Sequence, residues 1–159
     1  MSLKEPRQKM SKSHSDPKSR ILITDSADEI RAKIKEALTD STEGISYSPD
    51  MRPGVSNLLE IFKHARNSQL LCDELARDFS GVSMRGFKDA VSQAVISCLS
   101  GIREKYLDLM DPGSRIIDEA LDAGHAQASK LAAATMRRVR QKVGIPRLGK
   151  RFDHEGKPG

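Results

Sequence analysis

Apolar residues return at three- and four-residue steps along most of this chain, and that period restricts it to packed helices. The longest stripe is Phe87, Val91, Ala94, Val95, Cys98 and Ile102, in a helix that should begin near Gly86. A helix of 3.6 residues per turn puts such positions on one face, whereas a half-buried strand needs strict alternation. Ile30, Ile34, Ala37 and Leu38 form an earlier stripe, Leu58, Ile61, Phe62 and Ala65 a second, and Leu70, Leu71 and Leu75 a shorter element. Ile116, Ile117, Ala120 and Leu121 lead to Leu131, Thr135, Val139 and Val143, with a break expected near Gly124. Ile21-Leu22-Ile23-Thr24 reads as a strand or a buried extended segment, but the rest of the sequence offers it no pairing partner. The expected fold is therefore all-α, a helical bundle with short connections.

Punctuation supports these boundaries. Ser26 with Glu29 three residues on is a capping box, which satisfies free N–H groups at a first turn. Gly44, Pro49, Pro53 and Gly54 mark a loop from about Thr39 to Pro53, after which Ser56 is placed to cap and Leu58 and Leu59 to face the core. Asp111-Pro112-Gly113 interrupts the helical pattern, which ends at Gly144. Residues 146–159 read as a basic, disordered tail.

Hydrophobic residues make up 37% and aromatic residues 4%, so the core must be thin and mostly aliphatic. No apolar run approaches the roughly 18 residues that span a bilayer, so no membrane partner is expected. The first residues resemble neither a secretory signal nor a transit peptide. Cys72 and Cys98 lie in expected helices without metal-type spacing and read as small buried hydrophobes. His14, His64, His125 and His154 are scattered, so no metal site is expected. Residues 1–20 carry six Lys or Arg against two acids and residues 130–159 carry nine against two, while the stretch between is acidic. Basic ends around an acidic middle point to polyanions meeting the molecule at its ends.

The first 20 residues lack helical or strand periodicity, and within them stand Lys9-Met10-Ser11-Lys12-Ser13. Two ammonium groups on flexible stems and two hydroxyls suit phosphate oxygens, and a mobile loop can close over a nucleotide and exclude water. Taken alone, the five residues equally describe a basic linker. Their sequence resembles the second signature of class I aminoacyl-tRNA synthetases. The flanks narrow the likeness: Met1-Ser2-Leu3 before the signature, then Asp16-Pro17, Ile23-Thr24-Asp25, Ala37-Leu38-Thr39-Asp40-Ser41 and Pro53-Gly54-Val55-Ser56-Asn57-Leu58-Leu59 in order. From Met1 to about Ile145 the chain is similar to tryptophanyl-tRNA synthetases of the bacterial and mitochondrial type, from the signature loop onward.

That resemblance implies several things. Lys9, Met10, Ser11, Lys12 and Ser13 would bind ATP, with Lys9 and Lys12 acting on its phosphates and Mg2+ accompanying the nucleotide. The helical part would bind tRNA(Trp), and the family forms homodimers. On this reading residues 1–24 belong to a catalytic domain, 25–145 form the tRNA-binding helices and 146–159 the tail. Arg137, Arg138, Arg140 and Lys142, with Arg147, Lys150 and Arg151 beyond, form a basic end suited to RNA phosphates. Aromatic platforms for splayed bases are scarce.

Two departures from the family stand out. His14-Ser15 separates the signature from Asp16-Pro17, a form closer to organellar members, so the expected compartment is the mitochondrial matrix, with cytoplasm as the alternative. The sequence also lacks the His-x-Gly-His signature and the Rossmann pattern of strands and helices that carry the tryptophan pocket in the family. The expectation is a truncated ligase that cannot form an adenylate alone and meets tryptophan only with that domain. The alternatives are a non-catalytic helical module that binds tRNA or a synthetase, and a non-functional product.

Overall fold

The computed structural model describes residues 1–145, and five α-helices lie among them: α1 Ala27–Lys35, α2 Pro53–Ala65, α3 Cys72–Asp78, α4 Met84–Met110 and α5 Ile116–Val143. A 3-10 turn, Pro17–Ser19, precedes them, and no strand occurs among the described residues. The all-α expectation is met. The described residues fall into two compact units, Met1–Asp108 and a second that begins at Leu109.

In the first unit the capping box forms as expected: Ser26 Oγ accepts the Glu29 N–H at 3.3 Å and the Glu29 carboxylate accepts the Ser26 N–H at 2.7 Å. Ile30 and Ile34 of α1 and Ala37 just beyond it are buried, but Leu38 is 55% exposed. The helix has already ended, so Leu38 has left the stripe. Its backbone N–H donates to the Leu3 carbonyl at 2.8 Å instead. Ile21–Thr24 forms a turn, because the Asp25 carboxylate captures the Leu22 N–H at 2.8 Å and pairs with buried Lys33. Leu22 and Ile23 are left exposed.

Pro53 occupies the first turn of α2, where its missing N–H costs nothing. The N-cap position belongs to Arg52, so Ser56 is not the cap that its spacing suggested. Ser56 is buried within the helix, and its Oγ accepts the Ser48 N–H at 2.9 Å. Arg52 organises the loop before α2. Its guanidinium grips the Asp40 carboxylate at 2.8–3.1 Å and donates to the carbonyls of Thr42 and Gly44 and to Ser46 Oγ. This fork holds the Asp40 carboxyl below its ordinary range.

Leu70 and Leu71 precede α3 and are exposed; of that expected stripe only Leu75 is buried. α4 starts at Met84, two residues earlier than expected, and buries Phe87, Val91, Ala94 and Val95. Ile102 is exposed, as is Cys98, and Cys72 is half-buried, so neither cysteine is the buried hydrophobe expected. The stripe continues past the point where the core ends. Phe62, Phe79 and Phe87 stack edge to face, with centroids 5.2 and 4.9 Å apart.

In the second unit α5 runs unbroken through Gly124, since one glycine costs a helix only about 1 kcal/mol and the flanking alanines favour helix. No residue of α5 is buried. Gly144 ends the helix with φ +75° and donates its N–H to the Arg140 carbonyl. The expected tail, 146–159, lies outside the described residues.

Candidate nucleotide loop and basic helix end

Three rungs close the neck of the Lys9–Ser13 loop. Leu3 and Ser19, both buried, form the first: the Leu3 N–H donates to the Ser19 carbonyl at 2.9 Å, and Leu3 sits in the core beside Ile34 and Leu58. Lys4 and Lys18 form the second by meeting on Glu36, with Nζ-to-carboxylate distances of 3.3 and 2.7 Å. Lys18 first, and Lys4 after it, lower the pKa of Glu36, while Glu36 raises that of Lys18. Glu5 and His14 form the third, at 3.3 Å.

His14 also accepts the Asp16 N–H on Nδ1 at 3.0 Å, which assigns the proton of the neutral ring to Nε2, facing Glu5. Arg20 donates to the His14 carbonyl at 3.1 Å. The two-residue extension is thus stitched into the neck. Asp16 Oδ1 accepts the Lys18 N–H at 2.8 Å and caps the 3-10 turn that leads back to the core.

At the tip, Lys9, Ser11, Lys12 and Ser13 are exposed. Ser11 Oγ lies 3.0 Å from Ser13 Oγ and accepts the Ser13 N–H at 3.3 Å, which rounds the tip into a tight turn. Among the described residues, neither Lys9 nor Lys12 forms an ion pair. Met10 packs in the opposite direction, against the core, and lines an apolar groove of about 430 Å³ with Ile21, Leu22, Ile61 and Leu99. One buried-facing side chain between two exposed lysines anchors the tip while leaving both ammonium groups in solvent. The four polar candidates therefore gather on one exposed turn, with Met10 as its anchor.

Arg137, Arg138, Arg140 and Lys142 lie on the last turns of α5, and all are exposed. At 100° per residue, Arg137 and Arg140 share one side and Arg138 and Lys142 another, so the charges form a collar and not a single stripe. Positive charge there also suits the helix dipole.

A family model described as tRNA synthetases class I (W and Y) matches residues 1–100. The chain belongs to this family. It is 36% identical over 151 residues to the tryptophan–tRNA ligase of Enterococcus faecalis, covering 95% of this chain and 44% of that one. It is 37% identical over 147 residues to the ligase of Oceanobacillus iheyensis, again covering 44% of the relative. The solved tryptophanyl-tRNA synthetase of Mycoplasma pneumoniae matches 92% of this chain and 43% of its own, with a TM-score of 0.66 and 28% identity. The chain spans less than half the length of these synthetases.

The Pro53–Leu59 run that marks the family is explained by packing. A Cβ on Gly54 would come within 2.1 Å of the Leu38 carbonyl oxygen, so the helix can approach that backbone only at a glycine. Asn57 donates to the Ser2 carbonyl at 3.2 Å, and Val55, Leu58 and Leu59 are buried. This run holds the base of the loop. Sequence reading missed Glu36, Glu5 and Arg20 as parts of the neck. Glu36 lies 32 residues from Lys4 and 18 from Lys18, separations at which no local pattern operates.

Proposed function

We propose that this chain supplies the ATP loop and the tRNA-contacting helices of a tryptophan–tRNA ligase. The observation that carries this reading is the loop tip: two exposed ammonium groups and two hydroxyls on one turn, held by a braced neck. Lys9 and Lys12 would meet the phosphate oxygens of ATP, while Ser11, Ser13 and backbone N–H groups, that of Met10 included, supply hydrogen bonds. Mg2+ would arrive with the nucleotide, and no side chain of this loop is assigned to it. The ammonium groups would stabilise charge passing to the departing pyrophosphate, which is catalysis by preorganised electrostatics.

Amino-acid activation also needs a pocket for tryptophan and a second nucleotide contact. Neither is among the residues described here, so we propose that the polypeptide alone does not form tryptophanyl-adenylate. Pyrophosphate exchange with the purified chain tests this. The expected result is no tryptophan-dependent exchange above background, and exchange at the rate of a working synthetase would refute it.

Arg137, Arg138, Arg140 and Lys142 would contact tRNA(Trp) phosphates. A gel shift with that tRNA should weaken as salt rises, with a shallower slope once these residues are alanine. Homodimerisation and a mitochondrial-matrix location extend the same reading. The first rests on the family, the second on the His14-Ser15 extension.

A further inference from the structure

A glutamate at the C-terminal cap of a helix stands at the negative end of the dipole, where it works against the helix. Glu36 occupies that position on α1, and its surroundings supply the compensation. Lys4 Nζ reaches both its carboxylate, at 3.3 Å, and its backbone carbonyl, at 3.2 Å. Lys18 Nζ reaches the other carboxylate oxygen at 2.7 Å. Lys88 of α4 covers the neighbouring carbonyls of Lys35 and Ala37 at 3.2 and 2.8 Å. Burial first, and the charge of Lys4 second, lower the pKa of Lys88. Three ammonium groups therefore crowd one helix end, and Glu36 is the carboxylate that Lys4 and Lys18 share.

We infer that Glu36 is a positioning residue for the Lys9–Ser13 loop, pinning its incoming stem through Lys4 and its outgoing stem through Lys18 to the rigid end of α1. The two lysines stand immediately inside the buried Leu3–Ser19 rung, at the point where the stems leave the core. Loss of the carboxylate leaves Lys4, Lys18 and Lys88 facing one another, and repulsion then opens the neck. The functional weight of this pin rests on the nucleotide reading of the loop, but its mechanical action can be measured without nucleotide.

Limited trypsin digestion of the full chain, with cuts after Lys9 and Lys12 counted by mass spectrometry against the cut after exposed Arg77, gives that measurement. Glu36→Gln should raise the loop cuts relative to Arg77 by roughly two- to fivefold, the range of paired surface charges. In the parent chain this ratio should climb with added NaCl as the pairs are screened, and in Glu36→Gln it should fall as the repulsion among the lysines is screened. Lys18→Gln combined with Glu36→Gln should give a smaller rise than Glu36→Gln alone, because it removes one of the repelling charges. An unchanged ratio, a rise shared by the Arg77 site, or equal salt dependence in both proteins overturns the inference. Protection of the Lys12 cut by ATP with Mg2+ is scored separately. Its absence would count against the nucleotide reading and leave the test of the pin intact.

Discussion

Glycine-to-alanine exchange should have opposite signs at two helical positions of the same unit. In α2, a Cβ at position 54 would lie 2.1 Å from the Leu38 carbonyl oxygen, 3.0 Å from its carbon and 3.2 Å from the Thr39 Cα. All three atoms are backbone, so relief requires moving a peptide by about 1 Å, judged against ordinary contact distances. Leu38 also donates its N–H to the carbonyl of Leu3, whose side chain is fully buried, so the shift strains the first rung of the loop neck. Overpacking of this kind costs about 3 kcal/mol, the upper end of its usual range, and alanine returns about 1 kcal/mol of helix propensity. The net expectation for Gly54→Ala is a loss of about 2 kcal/mol, or a Tm lower by about 8 °C for a unit of this size. At Gly101 in α4 no atom lies within 4 Å of the added Cβ, so Gly101→Ala should be neutral or stabilise by up to about 1 kcal/mol. Urea unfolding followed by tyrosine fluorescence suits the measurement, because Tyr47 and Tyr106 both belong to the unit Met1–Asp108 and the chain has no tryptophan. If Gly54→Ala proved as stable as the parent, the close approach of α2 to the Leu38 backbone would not constrain that position, and the packing account of the Pro53–Leu59 run would fall.

Arg52→Ala should cost about 2–3 kcal/mol, below the full penalty for a broken buried pair because Asp40 can rehydrate at its partly exposed site. Arg52→Lys should fall between, since it keeps the charge and loses the fork. Because the folded-state pKa of Asp40 is depressed by Arg52, this contribution is full above the unfolded carboxylate pKa and fades as pH falls through the lower folded value. The stability gap between parent and Arg52→Ala should therefore narrow at low pH without closing, because the bonds to Thr42, Gly44 and Ser46 do not titrate, and a constant gap would contradict the pairing. Tyr47 donates its hydroxyl to the Glu60 carboxylate at 2.8 Å, and that bond, with burial second, pushes its pKa up to about 12. Absorbance at 295 nm should show this tyrosine ionising near 12, with stability lost between about 10 and 12; Glu60→Gln should bring the titration back toward 10.

The candidate site divides along the same lines as the fold. Lys9 to Ser13 were legible because their chemistry is contiguous, and the flanking runs gave them a family. The neck that braces them was not, since Glu36 reaches Lys4 and Lys18 across long separations and no local pattern announces it. His14 was visible as an extension, but its bond to Asp16 and its approach to Glu5 emerge only once the chain has turned.

By itself the sequence determined where helices form and how they are punctuated. Ser26 and Glu29 cap α1, Pro53 opens α2 and Gly144 closes α5, because caps and helical periods involve residues within a turn or two of each other. Tertiary structure decided which parts of each stripe are used. Cys98 and Ile102 share a helical period with buried neighbours yet remain exposed because the core ends before them, and Leu38 and Leu71 are exposed because they lie outside the helices. It also turned Ser56 from an expected cap into a buried acceptor, kept α5 continuous through Gly124 and made Gly54 the one residue small enough to meet the Leu38 backbone. Local chain geometry is written in short-range spacing, whereas close approach between distant segments is set by the packing of the whole unit.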